Sequence, residues 1–407
     1  MEPHRPSDPV EGALPSPGVG LSRRRLIARF AAVGFAAPAI ATILASRPDL
    51  VALAQDATPA ATPDPLAALV QTYGKDPRLI PYGTTNFGTP LGLIDGLIVP
   101  NELFFVRNNG PVAEIDPAAY RLTVNGLVDQ PLELTLADLQ AMPNTTMVAF
   151  LECSGDSRSR YQPQAEGTQW GNTGIGNAEW VGTSLKHVMA MAGVQDGAID
   201  IVCQDGDFEE MQRGLPVGMA YEDDVMVVWQ MNGEPLPALH GGPVRLLVPR
   251  WGGIASTKWL TSLEVIDTQF AGPFNSESYV IIDENEFVVR PVEEWPVKSA
   301  ITRPEPDAQL TAGPNTVMGF AWSGYGGITR VEVSTDGGAT YADAPIVEEA
   351  GPRSWVRFEV AWDAPAGPAA LRSRAYDESG LVQPDTVPWN AKGYLMNAVY
   401  EVPVTVA

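Results

Sequence analysis

The chain has 407 residues, with 26 Lys and Arg against 49 Asp and Glu and a formal net charge of −23. That sign argues against nucleic acid and anionic lipid as partners, since both would repel it. The length and a hydrophobic content of 45% allow two cores, and only Cys153 and Cys203 are present, which excludes a disulfide scaffold.

Residues 1–20 are rich in Pro and Gly without apolar periodicity and read as disordered. Ser22-Arg23-Arg24-Arg25-Leu26-Ile27 then precedes an apolar run from Phe30 to Leu44, and Ala52-Leu53-Ala54 offers a cleavage point. A basic start, a short apolar core and small residues predict an export signal over 1–54, with paired arginines of the twin-arginine type. An uncleaved membrane anchor is the other reading, although the apolar run is short for a span. The protein is thus expected to be periplasmic or extracellular. Removing 1–54 takes away six arginines and four acidic residues, leaving a net charge of −25. Such a surface suits a basic protein partner. Residues 55–75 are expected to form a linker, opening with the Pro/Ala/Thr run Gln55 to Pro65.

Leu103 to Val106 is an apolar strand with Arg107 directly behind it, and Tyr120 to Val124 alternates as a strand ending in an Asn125-Gly126 turn. Thr135 is a cap for a short helix, Leu136 to Met142. Met147 to Leu151 reads as a buried strand delivering Cys153 at its end. Ser154, Gly155, Asp156, Ser157, Arg158 and Arg160 follow at once, and Gly171, Gly174 and Gly176 allow tight turns or close approach. A thiol beside two guanidiniums favours thiolate, the form that attacks electrophiles or binds metal. A half-buried structural cysteine, or a Cys153–Cys203 bridge, is the plainer reading. Ser184 is a cap for a helix through Met191, and Ile201 to Met231 mixes strands with an acidic loop, Asp205 to Glu210. His240, Arg245, Ser256 and Lys258 then fall within about twenty residues, each near glycine, around a strand Leu246 to Val248. Backbone N–H groups and cations in that arrangement can cradle a phosphate; ordinary strand-edge charges are the alternative.

A boundary is expected between about Phe270 and Pro304. Beyond it Val317 to Trp322, Ile328 to Ser334, Trp355 to Trp362 and Ala369 to Tyr376 are short β-rich runs. Asp336-Gly337-Gly338 and similar turns separate them, and Tyr394 to Val406 reads as a final strand pair. The spacing predicts an immunoglobulin-like sandwich of about 100 residues.

In their order, these segments resemble the sulfite oxidase family of molybdenum enzymes. The family's F-F-V-R-N appears as Phe104 to Asn108, and its C-A-G-N-R-R as Cys153 to Arg158. Its downstream tryptophan appears as Trp170, with G-A-I-x-x-A-x-W matched loosely by Gly174 to Trp180. M-N-G-x-P-L-P…H-G-x-P-x-R runs from Met231 to Arg245, and K-W-L from Lys258 to Leu260. The dimerisation domain's pattern is matched by Val297 to Thr302, Ala321 to Gly324, Val333 to Gly338 and Val382 to Thr386.

The resemblance implies an α+β chain: a mixed α/β molybdopterin domain at 76–290, then an all-β immunoglobulin-like dimerisation domain at 291–407. It implies a molybdenum–molybdopterin cofactor with Cys153 as the one protein ligand to the metal. Phe105, Arg107, Asn108, Asp205, His240, Arg245, Ser256 and Lys258 would hold the pterin and its phosphate. Arg107, Arg158, Trp170, Tyr279 and Lys392 would line a pocket for a small oxyanion, where guanidiniums bind through forked hydrogen bonds. Two departures stand out. The family's W-N-L-R-G is Trp389-Asn390-Ala391-Lys392-Gly393 here, and Tyr279 is the nearest counterpart of the family's active-site tyrosine. The implied activity is sulfite oxidation to sulfate, with electrons passed to a basic carrier such as a c-type cytochrome. A reductase of a sulfoxide or another oxygenated substrate, and a non-catalytic secreted β-sandwich binding protein, are the alternatives. A homodimer through the C-terminal domain is the expected assembly.

Overall fold

The computed structural model describes residues 64–206, 211–285 and 287–407. The expected signal region and most of the acidic loop lie outside the described residues. Residues 65–407 form one compact unit. Within the stretch expected as linker, Pro65–Tyr73 is a helix. Its Leu69 is buried with Leu79, Phe87, Val106 and Leu239, so apolar contact at helical spacing overrides the linker-like composition before it.

Two five-stranded sheets carry the first part, beside a three-stranded sheet whose last strand, Val106–Arg107, bears Arg107, and a two-stranded one. In one, the strands Asn144–Glu152 and Ile175–Ser184 form a long antiparallel hairpin. Met226–Met231 continues it and pairs in turn with Glu234–Pro235 and Arg245–Leu247. The hairpin strand Asn144–Glu152 is partly exposed at its start and wholly buried over its last four residues. The Met147 to Leu151 run therefore does deliver Cys153 at a buried strand end. In the other sheet, Leu122–Gly126 pairs in parallel with Leu260–Ile266, and Asp200–Asp205 and Gln212–Pro216 extend it. Asn125 and Gly126 belong to the strand and do not make the two-residue hairpin turn expected of them. Gly126, at φ +84°, lets Val265 approach where a Cβ would lie 2.1 Å from its carbonyl oxygen.

Thr135 caps the helix Leu136–Gln140 through a reciprocal box with Asp138. Ser184 precedes the helix Leu185–Ala192 without a side-chain cap bond.

The remainder is a two-sheet sandwich. One sheet runs Lys298–Arg303, Gly313–Trp322, Val356–Ala364, Ile346–Glu348. The other runs Ala308–Leu310, Glu401–Val406, Gly367–Asp377, Ile328–Ser334, Ala342–Ala344. Only Glu401–Val406 of the final run is a strand; Tyr394 and its neighbours turn back toward the first part instead. Trp295, Phe320, Trp322 and Trp355 share one core with Phe104, Cys153, Trp170 and Trp180. Side chains of this size each contribute about 1.5–3 kcal/mol on full burial, so the sandwich is packed onto the cysteine hairpin.

Candidate active site

Cys153 stands where two cavities meet. The first is lined by Phe104, Phe105, Asn108, Asp205, His240, Arg245, Ser256, Thr257, Lys258 and others. The second is lined by Arg158, Trp170, Lys392 and Tyr394 among others. Cys153, Arg107 and Tyr279 line both. The fold thus sorts the residues expected to hold the cofactor or the oxyanion into two groups around one thiol, and it brings each of these to one or other cavity, while Arg160 lines neither.

Both cysteines are free, and Cys203 lies in the other sheet, so the bridge reading is overturned. The thiolate expectation changes as well. Burial pushes the Cys153 thiol up, against the pull of Arg107 and Arg158. Of the two guanidiniums expected beside the thiol, Arg158 is there but Arg160 lies over the Tyr400 ring at 3.7 Å, with Arg107 in its stead. The two cations are not enough in so dry a setting; a metal would take up the thiolate directly.

The first cavity is cationic. Lys258 Nζ donates to Asn108 Oδ1 at 2.5 Å and to Leu239 O at 2.8 Å. Arg245 donates to the carbonyls of His240 and Ser256, both at 2.8 Å, with its guanidinium 5.5 Å from the Trp180 ring. Neither is a strand-edge charge: burial pulls Arg245 down to about 9. Burial, with Arg245, Arg107 and Lys75 beside it, pulls Lys258 well below its ordinary value. Burial first, and then Lys75, Lys258 and Arg245 beside it, pull His240 well below its ordinary value, which favours a neutral imidazole. Ser256 Oγ accepts from Val248 N at 3.0 Å, which fixes the turn that carries it.

Lys75 was not picked out from the sequence, because it lay in a stretch read as linker. It donates to Phe104 O at 2.7 Å, sits 3.1 Å from His240 Nε2, and is drawn by burial to about 7.

A phosphate-bearing polar cofactor fits this cavity. It would bring negative charge to a cluster of buried cations. It would also meet two buried hydroxyls, Ser154 Oγ and Thr257 Oγ1, which have no hydrogen-bond partner in the protein. Neither has a role in the reading of the sequence, although each adjoins a residue that does, Cys153 and Lys258.

The second cavity is framed by stacked rings and guanidiniums. Tyr279 and Tyr394 stack at 5.2 Å, and the Arg158 guanidinium lies 4.9 Å from the Tyr394 ring. Arg158 Nε donates to Lys392 O at 2.9 Å and Nη1 to Thr168 O at 3.0 Å. Its shaft is hemmed by glycine. A Cβ on Gly155 would lie 2.5 Å from the guanidinium, and one on Gly393, at φ +60°, 2.7 Å from Arg158 Cγ. Arg107 Nη2 donates to Asn109 Oδ1 at 2.6 Å and lies 3.4 Å from Tyr279 Oη. Trp170 is fully buried, 4.6 Å from the Tyr82 ring and edge-on to Phe105 at 6.4 Å. Three positive side chains opening on one small pocket can bind an oxyanion; Tyr394, next to the W-N-A-K-G segment, was missed.

A cationic cleft for a phosphate-bearing cofactor, joined at one cysteine to an oxyanion-type pocket, is the architecture of a molybdopterin-dependent oxidoreductase. Residues 109–274 match the oxidoreductase molybdopterin binding domain and 289–407 the Mo-co oxidoreductase dimerisation domain. The mitochondrial sulfite oxidase of Mus musculus is 35% identical over 375 residues, covering 82% of this chain and 67% of that protein. The sulfite oxidase of Arabidopsis thaliana is 31% identical over 376 residues, covering 81% and 95%. Among solved structures, the sulfane dehydrogenase SoxCD from Paracoccus pantotrophus matches with a TM-score of 0.74 at 32% identity, covering 85% of this chain and 91% of that one. The chain belongs to the sulfite oxidase family, and its cofactor is molybdenum–molybdopterin.

Proposed function

We propose that this enzyme oxidises sulfite to sulfate, and that Cys153 is the protein ligand to its molybdenum. The observation that carries this reading is the junction itself, with Cys153 and Arg107 shared between a cationic cofactor-type cleft and a pocket that Arg158 and Lys392 also line. His240, Arg245 and Lys258, with Asn108 and the hydroxyls of Ser154 and Thr257, hold the cofactor; Phe105 walls it, and Asp205 and Ser256 shape the turn-rich rim. When bound, the cofactor supplies oxygen-atom transfer and accepts two electrons. Arg107, Arg158 and Lys392 bind and orient the oxyanion, while Trp170 and the Tyr279–Tyr394 stack exclude water and fix the direction of approach.

The electrons pass one at a time to a separate basic acceptor such as a c-type cytochrome. The acidic balance of the chain supports that partner. The paired arginines near the N-terminus support export, and the matched dimerisation domain supports a homodimer.

A second reading has one specific observation behind it. Lys392 replaces the family's arginine and offers a compact charge without a fork. A pocket altered in that way suits a sulfane sulfur, the substrate class of the structural relative, carried by a larger molecule.

Steady-state turnover of metal-loaded enzyme with sulfite, with a sulfane sulfur compound and with a sulfoxide decides among these. If sulfite is the substrate, Lys392→Arg preserves or improves kcat/KM. Lys392→Met then costs about 1.5–3 kcal/mol, the scale of a charge-assisted hydrogen bond, or roughly tenfold to 150-fold. Sulfite kinetics untouched by Lys392→Met would rule out this lysine as a substrate contact. For the acceptor, the rate with a basic cytochrome c is expected to fall as ionic strength rises, while turnover with a small neutral oxidant holds steady. A cytochrome rate indifferent to salt would remove the electrostatic argument for that partner.

A further inference from the structure

The C-terminal sandwich reaches into the cysteine loop through one residue. Lys298, on the sandwich's first strand, is fully buried and spends its three N–H bonds on the segment around Cys153. It donates to Glu152 Oε1 at 2.7 Å, to Asp156 Oδ2 at 3.0 Å and to Ser157 Oγ at 3.0 Å. Its partners are satisfied on their other sides too. Glu152 Oε2 accepts from Trp322 Nε1 at 2.6 Å, and Asp156 Oδ1 accepts from the backbone N–H groups of Gly174 and Thr173 at 2.7 and 3.1 Å. Gly174 in turn accepts from Cys153 N at 2.8 Å, and Ser157 is held at φ +62°, a left-handed conformation that a serine adopts only under constraint.

Glu152 and Asp156 bracket Cys153 on either side, so the backbone that presents the thiol is tied at both ends to a cation from another sheet system. A buried network in which every donor and acceptor is paired is rigid and specifies one arrangement. A lysine that only balanced charge would need no such three-way bonding to the flanks of a single residue.

We propose that Lys298 is a positioning residue for the metal site. The sandwich, besides any part in dimerisation, supplies the contact that sets how Cys153 is presented at the junction of the two cavities. The inference rests on Cys153 being the metal ligand, as proposed above; it does not depend on which sulfur compound is oxidised.

The test uses full-length holoenzyme with Lys298→Met, Lys298→Arg, Glu152→Gln and the Lys298→Met/Glu152→Gln pair. Three properties are read: thermal stability, the Mo(V) electron paramagnetic resonance signal, and the rate at which iodoacetamide alkylates Cys153 after the metal is removed. Lys298→Met leaves two buried carboxylates without their cation and is expected to lower Tm; the pair recovers part of that loss. In both, the Mo(V) signal shifts from wild type, alkylation speeds up about tenfold, and kcat falls about tenfold to a hundredfold with KM little changed, the scale of a misplaced reacting group. Glu152→Gln alone keeps the lysine but offers one acceptor oxygen where Glu152 serves both Lys298 and Trp322, so it is expected to shift the Mo(V) signal by less than Lys298→Met does. A wild-type signal and alkylation rate in the pair would overturn the proposal, because the lysine would then be a stability element only. If neither methionine variant folds, Lys298→Arg decides. Its planar fork cannot reproduce three divergent donors, so a shifted signal supports positioning and an unshifted one refutes it. Failure of the ligand assignment is recognised separately, by a Mo(V) signal that survives Cys153→Ser unchanged.

Discussion

Cys153→Ser is expected to reduce turnover by more than about a hundredfold, beyond what loss of a partner one layer removed from a metal costs, in a protein that still folds. The folding half of that expectation follows from size and environment. Serine is nearly isosteric, the site is buried at a strand end, and the loop is fixed by Lys298, Asp156 and Gly174 rather than by the sulfur. The pterin should remain, because His240, Arg245 and Lys258 form the opposite wall of the cleft. Activity, molybdenum content and pterin content measured on one preparation separate the three. Cys203→Ser is the control. Cys203 packs inside the other sheet, with Ile201, Leu215 and Leu263 in the same core, so its loss should leave activity near wild type. Equal damage from the two variants would count against the assignment.

Arg107→Met is expected to lower kcat/KM by about 3 kcal/mol, roughly 150-fold, in enzyme that retains its metal. Its guanidinium keeps its proton even in this half-buried place, as arginine does in proteins. It is therefore a fixed positive charge at the point where the two cavities join. Arg107→Lys keeps the charge but not the planar fork and should fall between methionine and wild type. Losses that track molybdenum content alone, with unchanged kinetics per loaded site, would assign Arg107 to the cofactor and not to the substrate.

Much of this architecture was legible locally. The sandwich strands fell close to where alternating runs and Asp-Gly turns placed them. Ile328–Ser334 is identical in extent, while Gly313–Trp322 and Gly367–Asp377 are longer than their apolar cores. The Thr135 cap and the Cys153 strand end are likewise short-range features, in which the side chain and the backbone group it serves lie within a turn of each other. Where local reasoning failed, a distant contact had intervened. Asn125-Gly126 is a strong turn pair, yet parallel pairing with the strand Leu260–Ile266 holds it in a strand. Tyr394 opens the run read as a final strand pair, yet its ring is stacked on Tyr279.

The sequence by itself determined the fold class, the family and, through the family, the cofactor, because motifs such as Phe104 to Asn108 and Met231 to Arg245 stand in the family's order along the chain. Only the tertiary structure decided that Cys153 is a free thiol raised by burial, that Arg245 and Lys258 are buried rather than strand-edge charges, and that Lys75 stands behind His240. It alone joined Lys298 to Glu152 across 146 residues of chain. The reason is physical. Strand and turn preferences are set by neighbours a few bonds away. Burial, and the electrostatics that depend on it, are set by whichever distant segments exclude water from a group, and no local window of sequence contains them.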